Sequence, residues 1–314
     1  MKAMVFHLGS INIDRVYSLD HIVAPGETER ASNLAFFPGG KGLNQSIALA
    51  RAGAAVRQIG AVGTSDGEPL RILLSENGVQ IDAIQTVPGE TGHAVILVDA
   101  AGMNSIIVTP GANACVTTEQ IQSAISTAKP GDFFLAQNET SCLPDAIRLA
   151  HRANLRIFLN PSPITPELEV SPLELVSDFL LNETEAAFLA NCPVSTDPGT
   201  ILHRLLFRFP NARFVLTCGA AGAWFADALT PPLLSPSFPT DPIDTTAAGD
   251  TFAGFYIAAI ADSLPPREAM RLANAAAAIS ITRPGASPSI PTAREVARFL
   301  ASKSCSSLSS RHES

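Results

Sequence analysis

The chain has 314 residues, 46% apolar and 16% charged, and 21 Lys and Arg against 29 Asp and Glu leave a net charge of −8. That balance excludes a disordered chain and a general polyanion binder such as a nucleic-acid-binding protein, while leaving room for a small phosphorylated ligand held by backbone N–H groups. Five cysteines without a CxxC pair and six histidines without HExxH give neither a disulfide framework nor a zinc site. No apolar run reaches the roughly 18 residues of a membrane helix. The first residues carry one Lys and then polar breaks at His7, Ser10 and Asp14, so no signal-peptide core is expected. A reduced, cytoplasmic protein with no membrane partner is the expectation.

In chain order, Met4–Leu8 predicts a strand. Arg15–Phe37 and His93–Thr109 carry β-type residues and turn punctuation with no helix between strands, which suits a small β layer beside the main body. Gly42–Ala52 predicts a helix closed by Gly53, and Val56–Gly60 a further strand. From residue 130 onward, Asp132–Ala136, Leu155–Leu159, Asp178–Leu181 and Arg213–Thr217 are short continuous apolar runs, as in strands covered on both faces. Helical patterns near Pro144–Arg152, Glu183–Asn191 and Thr200–Phe207 alternate with them, so the fold class is α/β with βα units on a mainly parallel sheet. Leu229–Pro242 holds five prolines and reads as a loop. Helices follow at Gly249–Ala261 and Glu268–Ile281, with faces of Ala and Gly suited to close packing on the sheet. Ser302–Ser314 has seven serines in thirteen residues and predicts a disordered tail. One domain over residues 1–302, a tail over 303–314 and no repeat array complete the organisation.

Three glycine-rich clusters could carry chemistry. In Pro38-Gly39-Gly40-Lys41-Gly42-Leu43-Asn44 the glycines allow close backbone approach at a helix start, and Lys41 and Asn44 share one face of its first turn. A plain strand-to-helix turn reads equally well, and the string is not a Walker A loop. Asp244-Thr245-Thr246-Ala247-Ala248-Gly249-Asp250-Thr251 leaves unobstructed N–H groups at a helix start. Asp250 there is either a helix-dipole carboxylate or a base that takes a proton from a hydroxyl attacking a phosphoryl group. Thr217-Cys218-Gly219-Ala220-Ala221-Gly222 reads by itself as a turn between two strands. Asn182-Glu183-Thr184-Glu185 is a helix start or part of a metal–phosphate site, and Asn12 with Asp14 is a turn or a grip on vicinal hydroxyls.

Together these segments resemble the ribokinase-like (PfkB) family of sugar and nucleoside kinases over about residues 5–300. DTTAAGDTFAG is similar to that family's C-terminal signature and FPGGKGLNQSIALARAG to its N-terminal one. GSINID, PGET, GANA, LNPSP, NETEA and AAAAISITRPGASPSIP follow in the order of its ribose-kinase branch. The resemblance implies a three-layer sandwich with a β-sheet lid from about 12–38 and 92–110, which also builds a homodimer. It implies ATP-dependent phosphorylation of a sugar's primary hydroxyl, with D-ribose first among substrates, Asp250 as base, and Ala248 and Gly249 in the anion hole. Asn12, Asp14, Gly40, Lys41, Asn44 and Glu139 would contact the sugar. Asn182, Thr217, Gly219, Gly222 and Asn274 would line the ATP site, with Glu185 acting indirectly on Mg²⁺. Asp244, Thr246, Ser280, Arg283, Gly285 and Ser289 match positions that hold a monovalent cation, usually K⁺.

Departures from the family pattern fall near these positions. Pro38 stands where Phe is usual, Pro110 and Pro284 stiffen loops near the lid and cation residues, and Thr246 replaces an aliphatic residue. Leu43 replaces a small Ala and is expected to reshape the sugar pocket. Another pentose, a ketose or a nucleoside is the alternative acceptor, and a non-catalytic sensor would require a damaged base or anion hole. A dinucleotide-dependent oxidoreductase finds no GxGxxG after a predicted strand.

Overall fold

The computed structural model describes residues 2–309. A nine-stranded sheet runs in the order β13-β12-β11-β10-β9-β8-β1-β4-β5. Its strands are β1 (Met4–Leu8), β4 (Ala55–Gly63), β5 (Gln80–Val87), β8 (Phe133–Gln137), β9 (Arg156–Asn160), β10 (Asp178–Asn182), β11 (Arg213–Thr217), β12 (Ala223–Ala226) and β13 (Leu233–Ser235). The strands from β11 to β5 are parallel, and β12 and β13 add an antiparallel edge. Side chains alternate between two cores, as strand geometry requires. Phe6, Leu8, Phe134 and Ala136 face α3 (Thr118–Ile125), α4 (Leu143–Arg152), α5 (Glu183–Leu189) and α6 (Pro198–Arg208). Val5, Phe133 and Leu135 face α1 (Lys41–Arg51), α2 (Glu68–Glu76), α7 (Ala248–Ala261), α8 (Pro266–Ser280) and α9 (Ala293–Ser309). Both faces are covered, which is why the central strands read as unbroken apolar runs.

A second sheet, in the order β3-β2-β6-β7, comprises β2 (Asn12–Ser18), β3 (Asn33–Gly39), β6 (Gly92–Val98) and β7 (Asn104–Thr109). It leaves the main sheet directly after β1 and returns through β3 into α1. Strands β1 and β8 are neighbours whose chains continue to opposite sides of the sheet, so a crevice opens beyond their carboxyl ends. Ser10 and Glu139 stand there, and the mouth of the lid sheet stands over it.

Four expectations are corrected. Helix α9 continues to Ser309, so residues 303–309 are helical where a tail was expected, and 310–314 lie outside the described residues. Val296, Phe299 and Leu300 anchor that helix on the core, and extending a formed helix costs little beside nucleating one. The proline-rich loop contains β13, a three-residue strand at the sheet edge, where flanking prolines leave the ladder intact. Leu43 does not reach a sugar pocket: it is fully buried in the core beside Ile11 and Ile47. Helix α7 does pack closely, but Gly254 sits against Ala48 and Leu49 of α1 rather than on the sheet.

Candidate active site

The carboxyl ends of β1, β8, β9, β10 and β11 deliver polar residues to one cleft with two chambers. The first, of about 370 Å³, is lined by Lys41, Asn160, Asn182, Glu185, Thr217 and Asp250 among others. The second, of about 580 Å³, is lined by Gly219, Gly222, Phe238, Asn274, Ala277 and Ile281. Thr217, Thr245, Ala248, Gly249 and Phe252 belong to both, so the chambers meet at the start of α7. A larger depression of about 880 Å³ beside α5 and α6 shares no lining residue with them and gathers no such charged set; the site is placed where the carboxylates and the lysine converge.

Backbone geometry builds this junction. Ala247 takes a left-handed conformation (φ 58°) before α7, and no side chain caps that helix. The space around Gly249 is open, so the helix start presents its N–H groups to the cleft. Across the junction, α1 begins against the end of β1. A Cβ on Gly42 would lie 2.3 Å from the carbonyl carbon of Gly9, so only glycine permits this approach. The approach brings Asn44 and Gln45 onto Asp250: Asn44 Nδ2 donates to Oδ2 at 3.2 Å and Gln45 Nε2 to Oδ1 at 2.9 Å. Asp250 is 8% exposed, so one carboxylate with both oxygens held lines the first chamber, next to Gly249 where the chambers meet.

On the lid side, Ser10 Oγ donates to Glu139 Oε2, which also accepts from the Lys41 backbone N–H at 3.3 Å. Burial pushes Glu139 above its ordinary carboxylate range, with Lys41 pulling it back. Burial also works against the charge of Lys41, but Asp250, Glu139 and Glu185 outweigh it and hold the ammonium above its usual pKa. Asp14 is pushed up to about 6 by burial and by the nearby Glu139. Asn113 Nδ2 donates to Asn12 Oδ1 at 2.7 Å and fixes that amide at the lid mouth.

At the end of β10, Asn182 and Glu185 form a reciprocal cap at the start of α5. Both Glu185 oxygens accept protein N–H groups, from Asn182 and Asn160, and burial raises its pKa. Thr217 Oγ1 donates to Leu181 O at 3.2 Å. Asn274 Nδ2 donates to Ser235 O at 3.0 Å and Pro236 O at 3.2 Å, tying α8 to the loop beyond β13. Of the candidate cation residues, Asp244 accepts from the backbone N–H of Thr246 at 2.9 Å and of Gly285 at 2.8 Å. Burial opposes these bonds, which nonetheless hold its pKa below the usual carboxylate range. Ser280 O accepts from Arg283 N, the Arg283 side chain is turned to Glu295, and Ser289 bonds to Ala286 O. The structure thus joins Asp244, Thr246 and Gly285 directly, and not the other three.

Sequence reasoning assigned no role to Ser10, Gln45, Asn113 or Asn160, although each lies inside a motif that it quoted: GSINID, GGKGLNQ, GANA and LNPSP. Ser10 meets Glu139 across 129 residues of chain, Gln45 meets Asp250 across 205 and Asn160 across 115, and Asn113 meets Asn12 across 101, so no local pattern could have announced the partners.

A mainly parallel sheet with a crevice at its switch point, an open helix start and a buried carboxylate defines an α/β enzyme built to bring an anionic group to a second ligand. A profile of the "pfkB family carbohydrate kinase" group matches residues 2–293. Ribokinase of Haemophilus influenzae is 35% identical over 96% of this chain and 99% of its own, and that of Bacillus subtilis 33% over 93% and 98%. A crystal structure of ribokinase from Cryptococcus neoformans with ADP superposes with a TM-score of 0.83 at 30% identity, covering 94% of this chain and 99% of that one. The chain belongs to the PfkB family and is an ATP-dependent carbohydrate kinase. Among the described residues no helix is long and apolar enough to cross a membrane.

Proposed function

We propose that the chain transfers the γ-phosphoryl group of ATP to the primary hydroxyl of D-ribose, giving ribose 5-phosphate and ADP. The observation that carries this reading is Asp250, a buried carboxylate held by two amides in the first chamber at the start of α7, beside the junction with the second. Similarity to ribokinases over nearly the whole chain supports the substrate, as does the ribokinase of Arabidopsis thaliana "complexed with Ribose and ATP", with a TM-score of 0.84 and 26% identity.

Asn12, Asp14, Gly40, Lys41, Asn44 and Glu139 hold the sugar, with Asp14 and Glu139 accepting from its hydroxyls. Asp250 accepts the proton of the primary hydroxyl as that oxygen attacks phosphorus, help worth typically about 10²–10⁴ in rate. The N–H groups of Ala248 and Gly249 and the ammonium of Lys41 stabilise the charge on the phosphoryl group in flight. Thr217, Gly219, Gly222 and Asn274 shape the second chamber, which takes the nucleotide, and Asn182 lines the first beside it. Magnesium bound with the nucleotide supplies charge neutralisation at the phosphates. Glu185 fits a water-mediated role toward it, because its own oxygens are already committed to Asn182 and Asn160. For K⁺, the ionised Asp244 and the loops it ties through Thr246 and Gly285 would offer an anionic, carbonyl-rich setting, with Ser280, Arg283 and Ser289 alongside. Exposed Leu34, Phe36 and Phe37 on β3 and Ile106, Ile107 and Val108 on β7 support pairing of two lids in a homodimer.

ADP release by the purified protein with Mg²⁺, across ribose, 2-deoxyribose, other pentoses, fructose and nucleosides, with and without K⁺, tests the reading. Ribose is expected to give the highest kcat/KM with stimulation by K⁺. A different best acceptor would reassign the substrate and keep the phosphotransfer machinery.

A further inference from the structure

A line of buried polar groups runs away from Asp250 beneath α1, and the phosphotransfer chemistry described above leaves it unused. Gln45, Ser46, His7, Gln58 and Gln137 are each no more than 1% exposed. His7, Gln58 and Gln137 lie on the adjacent strands β1, β4 and β8, all on the face that meets α1.

The bonds have a direction that chemistry dictates. The far end is Gly9 O, which can only accept, and Gln58 Nε2 donates to it at 2.9 Å. Gln58 Oε1 then accepts from the Ser46 hydroxyl, and Ser46 Oγ accepts from His7 Nδ1–H at 2.7 Å. His7 Nε2 is left as an acceptor and takes a bond from Gln137 Nε2 at 2.7 Å. The near end is the Asp250 carboxylate, which also only accepts. A chain between two accepting ends needs one group that donates both ways, and the amide nitrogen of Gln137 is that group: it also donates to Gln45 Oε1 at 2.6 Å. The Gln137 oxygen is consequently left buried with no partner. Because Gln45 Oε1 is engaged in this way, its Nε2 must face outward, onto Asp250 Oδ1 and Asn160 Oδ1.

We propose that Gln45 is a positioning residue for Asp250, and that neutral His7, acting through Gln137, sets which end of the Gln45 amide meets the carboxylate. The proposal rests on the reading of Asp250 as the base. It explains why a polar chain with one orphaned oxygen occupies a site that apolar residues could fill, since an unpartnered buried group is costly. Burial holds the His7 pKa at about 3, so its acceptor nitrogen stays free of a proton across the working range. The charged groups facing Asp250 are Lys41 of α1, Glu185 of α5 and Glu139 beyond β8, none of which belongs to the chain.

Gln45→Met keeps the length of the side chain and removes both amide ends. Its kcat with ribose is expected to fall roughly 10- to 100-fold, as loss of a group that orients a reactive residue commonly causes, while sugar and ATP KM stay within about twofold. The acid limb of the pH–kcat profile, read at saturating ribose so that Asp14 does not enter, should move to higher pH, because an ionised carboxylate has lost a donor. His7→Leu should give a smaller fall with a shift of the same sign, and the double variant should be no slower than Gln45→Met alone. If Gln45→Met does not fold, His7→Leu decides by the same shift. Wild-type kcat and an unmoved acid limb in the folded variants, or full additivity of the pair, would overturn the proposal. Asp250→Asn run alongside separates the two readings. Lost turnover there with an unaffected Gln45→Met removes only the positioning role, whereas near-wild-type turnover in Asp250→Asn removes the base itself.

Discussion

The two sides of the cleft are built in opposite ways. On the side proposed for the sugar, Asn12 is buried and Asp14, Glu139 and Lys41 are partly so; Glu139 is already bonded to Ser10 and the start of α1, and Asn12 to Asn113. The chamber proposed for the nucleotide is lined largely by Phe238, Ala277, Ala278 and Ile281, with its amide Asn274 spent on holding a loop. Fixed charges in a dry setting discriminate strongly because a mismatched ligand leaves them unpaired, while an apolar slot discriminates weakly. Selectivity therefore belongs to the sugar side, and the nucleotide side contributes shape.

The largest effect should come where the sides meet. Asp250→Asn keeps the shape and removes the base, so steady-state kcat should fall by roughly 10²–10⁴ with modest change in either KM. On the sugar side, Asp14→Ala removes a charged acceptor. Calorimetry should show ribose affinity weakened by about 1.5–3 kcal/mol with ATP affinity intact. Equal losses for both ligands would erase the contrast.

The same carboxylate predicts a pH dependence. In the proposed site Asp14 accepts from sugar hydroxyls when ionised, and burial and Glu139 hold its pKa at about 6. As pH falls through that value the protonated fraction grows, so ribose Kd should rise on the acid side, approaching roughly tenfold per pH unit well below it. Ribose binding near pH 6 should accordingly release protons, which calorimetry in buffers of different ionisation enthalpy measures. An Asp14→Asn protein should lose the dependence. On the nucleotide side, Asn274→Ala frees the loop at Ser235 and Pro236, and ATP KM should rise by the few-fold that a neutral hydrogen bond of about 0.5–1.5 kcal/mol implies. A hundredfold loss there would mean the chamber reads the nucleotide by polar contacts after all.

Legibility from sequence divided along physical lines. The parallel strands β8 to β11 were visible because burial on both faces leaves a continuous apolar run, and the start of α7 because DTTAAGD announces an open helix terminus. Asp250, Lys41 and Glu139 stood out through the family resemblance, and they converge in space. Gln45, Gln137 and Ser10 did not, since a neutral amide or hydroxyl carries no local signature and acquires its meaning from a partner on another strand. Leu43 misled because sequence proximity to Lys41 and Asn44 says nothing about which side of the helix faces the core. Serine content misled at the C-terminus, where the apolar residues earlier in α9 decided the outcome.

The most direct measurement is nuclear magnetic resonance of the products formed from ribose and ATP by the purified enzyme. ADP and ribose carrying a phosphate ester at the primary-hydroxyl carbon are expected, in equal amounts. Phosphate on another ribose hydroxyl, or ATP consumed with ribose left unmodified, would contradict it.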